Sequence, residues 1–399
     1  MRILGIETSC DETAICLIEA EGDFGIGSPK SETKAAPNFK YKILGNALIS
    51  QAALHTEYGG VFPNLAKREH AKNLVPLLEK CLHETNSPRQ GLALPRLNIA
   101  ELQTTLSREP ELLKQLIPFL EQHGKPDIDA LAVTHGPGLE PALWVGLNFA
   151  KALSKVWNVP IVGVNHMEGH IVMSMMEGGH LASFEFPVLA LLISGGHTEL
   201  VLSKRFGSYK LIGQTRDDAA GEAFDKVARM MQLPYPGGPH ISALAKKARE
   251  ENLTTDVKLP RPMLNENNLD FSFSGLKTAV LRVLESSAPI SDTLKKKLAR
   301  EFEDAVADVL VAKTLRAVET YGANTVLIGG GVSANTYIRA ELKKRLDEVS
   351  SKLLVCPPEL ATDNALMIAL AGYFHAQKRE FADITTLKAN GNLRLGDIS

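Results

Sequence analysis

The sequence predicts an α/β protein built from two related lobes around a central cleft. Three observations carry that expectation: strand hairpins with glycine-rich tips, strand–helix alternation after each hairpin, and recurrence of this pattern in both halves. A chain of 399 residues also favours two lobes over a single core.

The first half opens on Met1–Ile6, which reads as a buried strand. A polar turn, Glu7–Thr13, leads to the return strand Ala14–Glu19. Residues 21–42, rich in Gly, Pro, Lys and Ser, read as an exposed loop before the strand Ile43–Ile49. In Leu65–Leu82 the apolar Leu74, Leu77, Leu78 and Leu82 recur at helical spacing. Residues 84–126 read as an insertion, with an amphipathic stretch Leu112–Leu120 that Pro118 should interrupt. The strand Asp129–Thr134 runs into the turn HGPGL, followed by a helix, Ala142–Trp157. A further strand, Ile161–Val164, meets a helix that begins near His166.

The second half repeats the plan after Gly178. Phe186–Ile193 is a continuous apolar strand broken by Ser194-Gly195-Gly196, with Glu199–Ser203 as its return. Helix-forming sequence covers Ala220–Met231 and Leu294–Tyr321, and the strand Thr325–Ile328 ends in GGGVSAN. Ala361–His375 reads as a closing helix. The implied division is 1–165, completed by a C-terminal helix at about 361–399, and 166–360.

The formal net charge of -2 and sequence pI near 6.6 leave no global basic footprint for nucleic acid. An RNA substrate would need local basic faces or a partner. Candidate faces are Lys246, Lys247 and Arg249, Lys295–Lys297 with Arg300, and Lys343–Arg345, although such runs are ordinarily solvated helix surfaces. The four cysteines lie outside any CxxC spacing, so neither a disulfide framework nor a zinc ribbon is indicated. The chain enters its first strand with no signal- or transit-like segment, and no apolar run is long enough to cross a bilayer. A cytoplasmic protein is expected.

Three groups of residues carry chemistry. The first is a set of turns at strand ends: GIETSCDET (5–13), LISGGHTEL (192–200) and IGGGVSAN (328–335). Tight glycine turns let backbone N–H groups approach a phosphate, and Asn335 could offer its amide to an adenine edge. The second is His166 and His170, which share one helix face at i, i+4 and can share a metal. Between them Glu168 is displaced by roughly 200° around the helix, so the HExxH arrangement of a zinc protease does not apply. Asp363, at the helix start ATDNAL, is the best third ligand, unless it or Thr362 merely caps that helix.

The third group is DDAAGEAFDK (217–226) with YPGGP (235–239). Asp217 and Asp218 suit a helix start, whereas Asp225 could accept from ribose hydroxyls and Gly237-Gly238 could admit a flat base. Asp11 and Glu12 sit at the first hairpin tip, either as a general base and metal support or as solvated turn residues.

These segments, with GGVFPNLAKREH, THGPGL, NHMEGH, FSFSGLKTAV and ATDNALMIA, stand in one order along nearly the whole chain. Together they resemble the family of tRNA threonylcarbamoyladenosine synthesis enzymes, once described as glycoproteases. Its fold is the two-lobed actin/Hsp70/sugar-kinase (ASKHA) type, with duplicated RNase H-like lobes. His197 after Ser-Gly-Gly places the resemblance in the bacterial branch.

The resemblance implies an acyltransferase that moves the L-threonylcarbamoyl group from threonylcarbamoyl-AMP to the N6 amine of the adenosine beside the anticodon. The tRNAs are those reading codons that begin with A, and AMP leaves. By the same resemblance His166, His170 and Asp363 are metal ligands, with Fe2+ first and Zn2+ as the alternative. Leu192, Ile193, Ser194, Gly195, Gly196, Asp225, Gly238 and Asn335 hold the adenylate, and Asp11 and Glu12 are carboxylates at the reacting centre. Implied partners are tRNA, a paralogous TsaB-like subunit and a small TsaE-like ATPase. Asn64, Lys67 and Pro141 depart from the family pattern, as do the lengths of the two insertions. The competing readings are a small-molecule carbamoyltransferase and a non-catalytic scaffold paralogue, the latter disfavoured by the paired histidines.

Overall fold

The structure, a computed structural model, describes residues 1–24, 38–85, 97–287 and 289–396. The chain divides into two compact units. One comprises Met1–Ala52, Val61–Ala182 and the described residues from Asp363 on; the other comprises Ala53–Gly60 and Ser183–Thr362.

Among the described residues each unit is built on one sheet. In the first, Arg2–Glu7, Glu12–Glu21 and Lys40–Ser50 form an antiparallel meander, and Ala130–Gly136 and Ile161–Asn165 continue the other side in parallel. In the second, Val188–Ile193, Thr198–Arg205 and Ser208–Gln214 form the meander, with Thr325–Gly329 and Lys352–Val355 as the parallel pair. Counted within each meander-plus-pair, both sheets read third–second–first–fourth–fifth with the same strand senses. Antiparallel neighbours can follow one another directly, whereas each parallel strand needs a crossover. The helix Pro63–His83 with the insertion supplies it in the first unit, and the helices from Ala220 to Tyr321 supply it in the second. The two related α/β lobes expected from the sequence are therefore present.

Helices cover both faces of the first sheet, which is why Arg2–Glu7 and Ala130–Gly136 are apolar almost throughout. One covering helix, Ala365–Gln377, is buried on nearly every side and apolar nearly all round. Full burial of Leu366, Ile368, Leu370 and Phe374 is worth roughly 1.5–3 kcal/mol apiece. Glycine sets how closely this helix approaches. A Cβ on Gly5 would lie 2.4 Å from the Ala365 carbonyl oxygen, and one on Gly372 2.2 Å from Ala132 Cβ.

The boundary near 165/166 shifts to 182/183. The helix His166–Ser174 packs on Ala365–Gln377, and the short hairpin Met176–Glu177 with His180–Leu181 joins the first sheet through Lys40. The loop expected over 21–42 is shorter among the described residues, since strands extend to Glu21 and from Lys40; residues 25–37 lie outside them.

Pro118 does not interrupt its helix, which runs Pro110–Gln122. Pro118 is exposed, as is Pro76 within Pro63–His83, so water can meet the carbonyl each leaves unpaired. The opposite faces supply Leu74, Leu78, Cys81, Leu112, Leu116 and Phe119 to one core. Pro141 also falls inside a helix, Glu140–Trp157, in the first turn, where proline costs no hydrogen bond. Lys67 has a matching reason. Its Nζ lies 3.8 Å from Oε1 of Glu109, a buried carboxylate of the insertion whose Oε2 accepts from Asn148 Nδ2 at 2.9 Å.

Candidate functional site

The paired histidines stand where the strand Ile161–Asn165 ends. Asn165 turns its side chain back to accept from Met167 N at 2.9 Å and Glu168 N at 3.3 Å, which starts the helix at His166. His166 and His170 then lie edge to face, ring centres 4.8 Å apart. Asp363 arrives from the far end of the chain. Asn364 Oδ1, rather than Thr362 or Asp363, accepts from Met367 N at 3.0 Å and caps Ala365–Gln377. Asp363 is thereby left facing the histidines, with Oδ1 at 3.3 Å from His166 Nε2 and 3.1 Å from His170 Nε2.

Glu7 sits behind His166, fully buried. Its Oε2 lies 3.1 Å from His166 Nδ1 and accepts from Thr134 Oγ1 at 2.7 Å, while its Oε1 accepts from Ser9 N at 2.5 Å. A carboxylate only accepts, so Nδ1 carries the proton and Nε2 faces Asp363 with its lone pair. His166 Nε2 and His170 Nε2 converge on the same carboxylate oxygen, at 3.3 and 3.1 Å, an arrangement that suits a cation among them. Burial opposes charge on His166, but Asp363 and Glu7 outweigh it and hold the imidazole well above its ordinary value. Likewise, burial opposes charge on Asp363, yet His166 and His170 hold it far below the carboxylate range. Nitrogen and oxygen donors around a tetrahedral divalent ion stand about 3.3 Å apart, so Asp363 stands at a ligand's separation from each histidine, and all three donor atoms lie within 4.8 Å of one another.

Glu168 faces the opposite way, as the helical period requires. Its Oε2 lies 2.8 Å from His375 Nε2, and His375 Nδ1 lies 2.6 Å from Glu380 Oε2. Burial works against a charged His375, but the bonds to Glu168 and Glu380 win and raise it to about 9. This relay, buried at Glu168 and His375 and open to solvent at Glu380, ties the paired-histidine helix to Ala365–Gln377 and keeps Glu168 out of the cluster.

Asp11 and Glu12 occupy the first hairpin tip beside the cluster. Burial, then Asp11 and Asp363, push Glu12 up to about 10, while Ser50 Oγ donates to it at 3.2 Å. His70, from the segment GGVFPNLAKREH, holds this tip. It is fully buried, with Nε2 2.9 Å from the Cys10 carbonyl and Nδ1 2.8 Å from Thr13 Oγ1. The carbonyl fixes the proton on Nε2, so Thr13 donates. The turn THGPGL abuts the same segment: Leu139 N donates to Ser9 O at 2.8 Å, and a Cβ on Gly138 would meet that oxygen at 2.7 Å.

The second unit gathers its own candidates. Ser194–Gly196 follows Val188–Ile193, and Gly330 follows the parallel strand Thr325–Gly329, with φ 86° and so close that a Cβ would lie 2.5 Å from Ile193 O. Gly221 N donates to Ser194 O at 3.1 Å, and Asp225 Oδ1 accepts from Gly237 N at 2.7 Å. At Gly195, Gly196, Gly238 and Gly331 a Cβ would meet nothing within 4 Å, which leaves room for a ligand against the backbone. Leu192 and Ile193 are buried strand residues. Asn335 is committed internally: Oδ1 accepts from Ile338 N at 2.9 Å, and Nδ2 donates to Glu303 Oε1 at 2.7 Å and Ser242 Oγ at 2.8 Å. As folded, its amide keeps no donor for a base. Asp217 binds the start of Ser274–Ser286 through Ser272, Phe273 and Ser274, and Asp218 takes Lys226, so both serve the fold.

Several residues of the basic runs are paired within the chain. Arg249 binds Glu303 and Asp304 and stacks on Tyr337, Lys296 binds Glu251, and Lys343 and Arg345 bind Asp347 and Glu348.

Residues 42–93 and 111–370 match the family model TsaD, described as tRNA N6-adenosine threonylcarbamoyltransferase. The chain belongs to this family. The tRNA N6-adenosine threonylcarbamoyltransferase of Anoxybacillus flavithermus is 39% identical over 99% of this chain and 97% of its own. That of Bacillus licheniformis is 41% identical over 93% and 91%. Among solved structures, HypF of T. kodakarensis superposes with a TM-score of 0.52 at 13% identity, and HypF in a phosphate- and nucleotide-bound form with 0.51 at 12%. These cover 94% and 95% of this chain but only 48% and 46% of the HypF chains, and at such identity they bear on the fold alone. The fold class is the ASKHA type expected. The threonylcarbamoyltransferase family match skips 94–110, inside the insertion that carries Glu109.

Two residues of the first unit escaped sequence reasoning. Glu7 reads as the first polar residue of a turn, and His70 as one polar residue of a long helix. The only signal for either was its place inside a quoted motif.

Proposed function

We propose that the chain transfers the L-threonylcarbamoyl group from threonylcarbamoyl-AMP to the N6 amine of the adenosine beside the anticodon, in tRNAs reading codons that begin with A. The observation that carries the reading is family membership over almost the full chain, joined to the His166–His170–Asp363 cluster beside Asp11 and Glu12. In this reading the new N–C bond forms at the carbamoyl carbon and the C–O bond to the phosphate breaks. AMP leaves with the electron pair, and the amine gives up its proton.

His166, His170 and Asp363 would hold one divalent ion, Fe2+ by preference and Zn2+ as the alternative. Bound there, it would polarise the carbamoyl carbonyl. Glu7 orients His166 by fixing its tautomer. Asp11, beside Glu12 at the hairpin tip, would receive the amine proton. Leu192–Gly196, Asp225 and Gly238 cradle the adenylate, with open backbone at the glycines set against the phosphate. Asn335 contributes by fixing the turn after Gly330–Gly331. The adenosine amine is a weak nucleophile, so positioning supplies much of the rate.

With a net charge of -2 and several residues of the basic runs paired internally, tRNA docking would depend in part on the TsaB-like subunit and the small TsaE-like ATPase, in the cytoplasm. No helix among the described residues is long and apolar enough to cross a membrane. The test is to incubate metal-loaded protein with threonylcarbamoyl-AMP and unmodified tRNA, with and without those subunits, and to measure modified adenosine by nucleoside mass spectrometry. Product from the wild type that disappears in Asp363→Ala supports the reading. No product with every partner present overturns it in favour of a small-molecule acceptor.

A further inference from the structure

Away from the paired histidines, Glu79, His83 and His123 bring three ligand atoms within 4.8 Å of one another. Glu79 and His83 are four residues apart in the last turns of Pro63–His83 and so share one face. His123 ends the insertion helix Pro110–Gln122. Its backbone N and its ring Nδ1 both donate to the Phe119 carbonyl, at 3.0 and 2.9 Å, and its ring stacks on Phe119 with centroids 4.5 Å apart. Donation through Nδ1 leaves Nε2 with its lone pair, so the ring is fixed in a ligating tautomer before any ion arrives.

We propose that Glu79, His83 and His123 form a second divalent-metal site, of the zinc class, that staples the insertion to the helix Pro63–His83. Two imidazoles and one carboxylate are the donor set zinc accepts, with water completing the tetrahedron on the exposed side. Tetrahedral ligands stand about 3.3 Å apart, so rotamer adjustments of about an ångström or more in the exposed Glu79 and His83 close the set. The field favours a cation as well, because all three residues stand at the C-terminal ends of their helices, where unpaired carbonyls concentrate negative charge. The two helices already share apolar contacts through Leu78, Cys81, Leu116 and Phe119. An ion would therefore lock an existing contact.

The experiment is equilibrium binding of Zn2+ alone to the full chain, with bound metal counted after gel filtration and folding checked by circular dichroism. Wild type, His83→Ala, His123→Ala and the double variant His166→Ala/His170→Ala are compared. The proposal expects His83→Ala and His123→Ala each to hold one equivalent fewer than wild type. It also expects His166→Ala/His170→Ala to retain one that is lost on adding His83→Ala. Because His83 is exposed and outside the Phe119 stack, its loss separates binding from folding. Unchanged stoichiometry in either single variant, or no ion on the His166→Ala/His170→Ala protein, overturns the proposal.

Discussion

Replacing Glu7 with glutamine isolates the role of one buried carboxylate. In the wild type Glu7 accepts from Ser9 N, Thr134 Oγ1 and His166 Nδ1. Glutamine keeps the shape and one oxygen, which Ser9 N can retain. Its NH2 then faces Thr134, whose hydroxyl can turn and accept, and His166 Nδ1, which can accept only if the ring proton moves to Nε2. That proton would occupy the nitrogen aimed at Asp363. Loss of such an orienting partner typically costs about 10–100-fold in metal affinity, or about 1.4–2.7 kcal/mol. The fold should lose only about 1 kcal/mol, since every buried group still finds a partner. Glu7→Ala, by contrast, strands Ser9 N and Thr134 Oγ1 beside a cavity and should cost about 2–4 kcal/mol of stability. Chelator competition for Fe2+ or Zn2+, with denaturant unfolding of the metal-free protein, separates the two effects. If Glu7→Gln binds metal as tightly as wild type, the tautomer argument fails.

The remaining predictions probe other parts of the molecule. His166→Ala/His170→Ala should stay folded by circular dichroism while losing transfer and the ion bound at that cluster; full transfer without that ion would remove the metal from the chemistry. Gly238→Ala should leave thermal stability unchanged or slightly raised, because its Cβ meets nothing and alanine favours a helix by about 1 kcal/mol, while KM for threonylcarbamoyl-AMP rises. Gly138→Ala should lower kcat more than KM by pushing Ser9 and the hairpin tip, since its Cβ would stand 2.7 Å from the Ser9 carbonyl. His375, raised from 6.5 to about 9, stabilises the fold fully below pH 6.5, and that contribution fades as pH rises through about 9. It is worth up to about 3 kcal/mol, and denaturant midpoints across that window should fall for wild type but stay flatter in His375→Gln.

What the sequence disclosed follows from where each signal is stored. Strands covered on both faces read as apolar runs, so Arg2–Glu7 and Val188–Ile193 were legible, and the i, i+4 histidines announced themselves by spacing. Asp363 lies 193 residues from His170. Its role hung on which neighbour capped the helix, and only the fold shows that Asn364 does. Pro118 does not break its helix because a proline's cost depends on whether its helix face meets water, and composition does not say which face that is. Asn335 looked free because nothing in its own segment announces Glu303 and Ser242 as partners. Glu7 was the deepest omission: a polar residue at a strand end looks solvated until Thr134 and His166 close over it.

Under the proposed function, the two units would put one architectural edge to two uses. In each, the first strand and its parallel neighbour end side by side, at the carboxyl edge where open α/β sheets place their ligands. In the first unit that edge carries Glu7, Thr134 and, after the next parallel strand, His166: side chains that gather charge. In the second it carries Ser194–Gly196 and Gly329–Gly331, where side chains are withheld and backbone is exposed. A metal needs donor side chains at fixed separations, and a phosphate needs close approach to N–H groups, so the two demands select opposite residue types at equivalent positions. An exchange tests this directly. A side chain placed at Gly195, where a Cβ meets open space, should spare folding and metal content while abolishing adenylate binding, as read by calorimetry. Glu7→Gln should instead weaken metal binding and spare adenylate binding, and a protein in which both changes struck the same ligand would show that this division of labour is wrong.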